Sequence, residues 1–125
     1  MAQSTANTHF FDKEAFESMK DTAFFINVGR GGAVDEEALA DALDAGKIAG
    51  VGLDVLENED PNLEQCRLTN RENVILTPHA AFYSNDSLLA LQKLSCMNLI
   101  YYVKGEYEKV SWIVNGDILG KISKK

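Results

Sequence analysis

Apolar and polar positions fall into blocks along this chain, and the block pattern predicts its elements. Phe24-Phe25-Ile26-Asn27-Val28 is an apolar run of strand length. It breaks at Gly29-Arg30-Gly31-Gly32 and restarts at Asp35 with helical spacing, where Ala38, Leu39, Ala42 and Leu43 share one face. After Gly46 comes a second apolar run, Val51-Gly52-Leu53-Asp54-Val55. Strand, turn, helix and strand in that order make a βαβ unit and predict a parallel sheet. The strands are expected over 22–28 and 50–56, the first so apolar that it should be covered on both faces. Val74-Ile75-Leu76 adds a short third strand, ended by Thr77-Pro78-His79.

Side-chain chemistry marks the helix ends. Asp12 and Asp35 stand where an N-cap carboxylate would accept from the orphan amides of the first turn. Phe11 with Phe16, and Val34 with Leu39, have the spacing of hydrophobic staples. The first helix should run to Met19 or Lys20 and bury Ala15, Phe16 and Met19. Gly46 suits the left-handed position after the second helix. Ser84 or Asn85 starts a long helix over 84–104, closed by Gly105. Its apolar side, from Leu88 to Tyr102, is wide enough to predict burial against more than one element. Residues 57–73 read as a long acidic loop, and 106–115 as a short extended piece carrying Trp112. Residues 1–9 and the last ten read as irregular.

Composition narrows the function classes. The chain has 125 residues, 46% hydrophobic, enough for one small domain with a real core. Its net charge of −7 opposes binding to nucleic acid or an anionic membrane. No apolar run is long enough to span a bilayer, and the start lacks a signal-peptide pattern. Cys66 and Cys96 are far apart and form no metal-spaced or redox pair, as free thiols in a reducing cytoplasm would. No histidine or cysteine spacing supports a metal site.

Four positions could carry chemistry: Arg30, Asp54, Glu59 and His79. Three follow a strand in a loop, and Asp54 lies near the end of one. In a parallel sheet all four would share the edge where α/β folds bind ligands. A histidine beside a carboxylate makes a general acid that works near neutral pH. Arginine offers a planar fork that matches a substrate carboxylate. The set suits a small 2-oxo or 2-hydroxy acid. Each residue also has a bland reading, as a solvated turn arginine, a surface glutamate or a histidine capping a strand end. Asp54 resists that most, because a carboxylate in an apolar strand needs partners. The glycine-rich turn matches neither G-x-G-x-x-G nor the P-loop pattern, since Val34 stands at the third glycine position of the first.

Asn27-Val28-Gly29-Arg30-Gly31-Gly32, Asp35, Ala38-Leu39, Gly50 to Val55 and Thr77-Pro78-His79 together resemble the D-isomer-specific 2-hydroxyacid dehydrogenases. Ala80-Ala81-Phe82-Tyr83-Ser84 is most similar to the D-lactate dehydrogenase branch. The resemblance covers about residues 5–115. It implies an α/β fold: the second half of a Rossmann-type doubly wound parallel sheet with a long C-terminal helix. It implies a partial NAD-binding domain over 1–115 that includes the returning helix 84–104, then a tail over 116–125.

By the same resemblance, Arg30 binds the substrate carboxylate and polarises its carbonyl. Glu59 pairs with the catalytic histidine, and His79 is that general acid/base. Asp54 contacts the nicotinamide side of NAD. Asn7, Val28, Gly29 and Arg30, with His79, line the cofactor. Asp60 departs from the family pattern, in which proline often follows the glutamate; here Pro61 comes one place later. Family members are longer than this chain, so a C-terminal fragment, inactive alone and weak in NAD binding, is expected. The full-length protein is expected to be a cytoplasmic homodimer. The alternative is a non-catalytic module of the same family, sensing NAD or mediating dimerisation as corepressor-like members do.

Overall fold

The computed structural model describes residues 5–113 of the chain. Asp12 caps helix α1 (Lys13–Glu17), its carboxylate accepting from the Ala15 amide at 3.0 Å. The helix stops at Glu17, two residues before the sequence pattern ends, because Ser18 turns its hydroxyl onto the Ala15 carbonyl. Strand β1 (Phe24–Asn27) leads through the glycine turn to helix α2 (Glu36–Asp44), which Asp35 caps in the same way. Gly46 closes α2 with φ of +64°, in the left-handed region. Strands β2 (Gly50–Leu53) and β3 (Val74–Leu76) follow. The sheet order is β1-β2-β3, with both pairs parallel; β1 and β2 form the βαβ unit that the sequence pattern predicts.

One face of this sheet is built as a core. Phe25, Val51 and Leu53 point toward α1 and α2 and pack with Phe16, Leu39 and Leu43. Phe16 and Phe25 meet edge to face at 5.3 Å. The other face is bare, which corrects the expectation that the first strand is covered on both sides. Phe24, Ile26 and Ile75 are 72%, 70% and 69% exposed. Alternation in a strand sends these residues opposite to Phe25. Gly50 and Gly52, their register partners on β2, present no side chain there.

The stretch between β2 and β3 is acidic yet anchored. Leu68 is 1% exposed and belongs to the core. Arg67 bridges Glu37, Asp41 and Asp44 at 2.7, 2.8 and 2.7 Å, and Arg71 bridges Asp44 at 2.7 Å. Those three carboxylates lie on one side of α2, spaced by successive turns.

The chain divides into two compact units, Met1–Ala81 and Phe82–Lys125. The second holds helix α3 (Asn85–Lys104), started by a reciprocal Ser84–Ser87 capping box and closed by Gly105 at φ of +74°. No residue of α3 is buried, contrary to the burial its wide apolar side predicts. A short 3₁₀ turn (Tyr107–Lys109) replaces the expected extended piece, and Trp112 lies exposed after it. Residues 114 and 115 of that piece, the tail 116–125 and the first four residues lie outside the described part. Among the described residues, no helix is long and apolar enough to cross a membrane, and no group of side chains could hold a metal.

Candidate functional site

The carboxyl ends of the three strands open into a cleft of about 510 Å³. Arg30, Asp54, Glu59 and His79 all line it. Leu53, Val55, Leu56, Leu63 and Leu76 supply an apolar floor. A few convergent polar groups over an apolar lining is the usual make-up of a small-molecule site.

Arg30 owes its place to Asn27. The Asn27 side chain accepts from the Gly29 amide at 3.0 Å and donates to the Arg30 carbonyl at 2.9 Å, folding the turn at the end of β1. The guanidinium donates to the Gly29 carbonyl at 2.8 Å and is otherwise exposed to the cleft. Gly31 is indispensable to the next step of the chain. A Cβ on it would lie 1.9 Å from the Leu56 carbonyl oxygen, so only glycine lets the loop after β2 approach this closely.

Asp54 is the keystone of the His79 turn. It is 4% exposed, and its carboxylate accepts from the Thr77 hydroxyl and from the Ala80 and Ala81 amides, each amide at 2.8 Å. Its backbone carbonyl takes the His79 amide at 2.9 Å. The Thr77 bond, against the cost of burial and helped by the Ala81 and Ala80 amides and nearby His79, holds the Asp54 carboxyl below the usual range. His79 itself sits at φ of +51°, a conformation that costs energy for any residue with a Cβ. The hydrogen bonds that Asp54 accepts over-determine that conformation, and the His79 ring is exposed at the cleft.

Glu59 is an exposed part of the lining, in the loop that follows β2. The hydrogen bonds of the His79 turn run to Asp54 rather than to Glu59. Asn7 lies in a 3₁₀ turn (Thr5–Asn7), Val28 is exposed just beyond β1, and Gly29 is half-buried in the turn. These three are not among the residues that line the cleft. Sequence reasoning missed Glu57, Thr77 and Gly31. Thr77 could have been found as a hydroxyl at the end of the strand next to an in-strand aspartate. Gly31 and Glu57 had no local signal, because their partners lie far away in the chain.

Comparisons with known proteins show the family. Residues 1–81 match the family model described as D-isomer specific 2-hydroxyacid dehydrogenase, NAD binding domain. The chain is 42% identical over 118 residues to a probable 2-ketogluconate reductase of Dictyostelium discoideum, covering 94% of this chain and 34% of that protein. It is 35% identical over 112 residues to a D-lactate dehydrogenase of Leuconostoc mesenteroides subsp. cremoris, covering 80% of this chain and 34% of that protein. The crystal structure of D-lactate dehydrogenase from Aquifex aeolicus, complexed with NAD and lactic acid, superposes with a TM-score of 0.79 at 34% identity, over 86% of this chain and 37% of that one. The chain thus spans about a third of the length of the relatives it matches. The parallel Rossmann-like sheet, the matched residues and these relatives agree: the chain belongs to the D-isomer-specific 2-hydroxyacid dehydrogenases, and its residues 1–81 match their NAD-binding domain.

Proposed function

We propose that this chain forms the nicotinamide side of the active site of an NAD-dependent oxidoreductase that acts on the CH–OH group of D-2-hydroxy acids. One observation carries the reading: Arg30, Glu59 and His79, far apart in sequence, line one cleft at the carboxyl ends of parallel strands.

Arg30 holds the substrate carboxylate with its planar fork and polarises the neighbouring carbonyl. His79 gives its ring proton to the carbonyl oxygen in reduction and takes it back in oxidation. Glu59 pairs with the ring and orients it. NAD, when bound, supplies or accepts the hydride. Asp54 serves the nicotinamide side by keeping a fixed negative charge there and by seating the His79 turn. Asn7, Val28 and Gly29, with Arg30 and His79, would hold the cofactor.

The residues present fit the nicotinamide end of NAD, since the cleft has the size and lining for a ring and a small acid. They do not supply the glycine fingerprint that seats a pyrophosphate. We therefore expect weak NAD binding and little turnover from this chain alone. A homodimer is expected of the full-length protein, which sedimentation of that protein tests.

NADH fluorescence titrations of the chain, with and without pyruvate, test the site. Arg30→Gln should abolish the effect of pyruvate on NADH binding, while His79→Gln should leave that effect in place. Identical pyruvate responses in wild type and Arg30→Gln would contradict the assignment. Rapid pyruvate-dependent NADH oxidation by the wild-type chain would contradict the expectation of low turnover.

A further inference from the structure

The backbone around His9 is laid along the glycine turn. Its amide donates to the Gly32 carbonyl at 3.0 Å, and Phe11 exchanges bonds with Ala33 and Asp35 at 2.9 and 3.0 Å. From there the His9 ring reaches across to Glu57, with Nε2 2.8 Å from the carboxylate. Glu57 is also held from a third side, its amide donating to the Glu36 carboxylate at the start of α2. Glu57 lies two residues before Glu59, in the loop that packs against Gly31. Three separate segments therefore meet at the root of the loop that bears Glu59.

We propose that the His9–Glu57 pair is a positioning clamp, fixing the Leu56–Glu59 turn over the cleft and holding it most firmly when the His9 ring is protonated. The clamp serves the site proposed above and rests on that reading for its purpose. His9 is a positioning residue, acting through Glu57 on Glu59.

The charged groups that act most strongly on the ring are carboxylates. Glu57 comes from the loop, and Asp35 and Glu36 come from the start of α2. The Glu57 bond first, then these charges, raise the His9 pKa above its ordinary value of 6.5 in spite of some desolvation. A neutral ring can still donate from Nε2, so the clamp weakens with rising pH rather than opening. Burial, partly offset by the Glu57 amide, pushes the Glu36 carboxyl up, and the nearby charges of Glu57 and Glu37 add to that push.

The test uses the isotope-labelled chain followed by NMR from about pH 5.5 to 9, a range centred on histidine titration. The His9 ring should titrate above its ordinary value, and the Glu57 and Glu59 amides should follow the same curve. NADH affinity should fall on the order of two- to fivefold across that titration, the range a solvent-screened ion pair supplies. His9→Gln keeps a donor without the charge and should remove this part of the pH dependence. Glu57→Gln should return the His9 titration toward its ordinary value. Glu59 amides that ignore the His9 titration, or a His9→Gln chain with the wild-type pH response, would overturn the clamp. Coupled amides in a chain that binds no NADH at any pH would support the clamp and contradict the function proposed above.

Discussion

Gly31→Ala tests how the cleft is assembled. The added Cβ would stand 1.9 Å from the Leu56 carbonyl oxygen, 2.0 Å from its carbon and 2.4 Å from the Glu57 nitrogen. Ordinary contact needs 3.4–4 Å, and all three opposing atoms are backbone, so no side chain can swing aside. The glycine turn and the loop must separate by roughly 1.5 Å, which loosens the floor of the cleft. Overpacking of this kind costs about 1–3 kcal/mol, and two rigid backbones put this case at the upper end. For a unit this small, that corresponds to a fall in Tm of about 10–20 °C. Circular dichroism melts measure it. Gly52→Ala is the control, since its Cβ would meet Ile26 at 3.7 Å, an ordinary contact on the bare face. The control should change stability by no more than about 0.5 kcal/mol. A Gly31→Ala chain that melts with wild type and keeps the wild-type Glu57 amide shift would refute the close approach as the device that seats the loop.

The same contacts predict further outcomes. Leu68→Ala should cost about 2–5 kcal/mol in urea unfolding, because this loop residue is as buried as the helix core; a loss under about 1 kcal/mol would detach the loop from the core. Arg67→Met should lower the melting temperature at low salt, and the difference should shrink at about 0.5 M salt as screening replaces the lost pairs. The Asp54 carboxyl sits below its usual range, so its stabilisation is complete above the unfolded value near 3.9 and is lost as pH falls through the lower folded value. Hydrogen exchange at the Ala80 and Ala81 amides should accelerate in that acid window, and Asp54→Asn should remove the pH dependence; protection unchanged by acid would contradict the keystone role.

Local chemistry decides the features that were legible in the sequence. Asp12, Asp35 and Ser84 cap the helices because a cap needs only the next three residues. Gly46 and Gly105 end them because left-handed backbone favours glycine. The parallel pairing of β1 with β2 came from the helical crossover between them; β3 joins in the same direction through a long loop that contains no helix. Burial was less legible. Phe24-Phe25-Ile26 reads as doubly covered, yet an apolar run says nothing of what lies across the sheet, and one face of it is bare. Helix α3 carries an apolar side, yet none of its residues is fully buried.

The site was legible in its charged residues, since Arg30, Asp54, Glu59 and His79 do line one cleft. Its supports were not. Asp54 is held by Thr77, Ala80 and Ala81, more than twenty positions away, and Gly31 by Leu56. His9 meets Glu57 across 48 positions. Among so many carboxylates in one acidic stretch, no spacing rule distinguishes the one that finds a histidine.

The central claim is a shared pocket for a nicotinamide ring and a small 2-oxo acid. An amide chemical-shift map of the labelled chain, titrated with NADH together with oxamate, tests it most directly. The account predicts that Arg30, Asp54, Glu59 and His79 shift together and saturate on one binding curve. Shifts confined to the amino ends of the strands or the outer side of α2, or none at millimolar ligand, would contradict it.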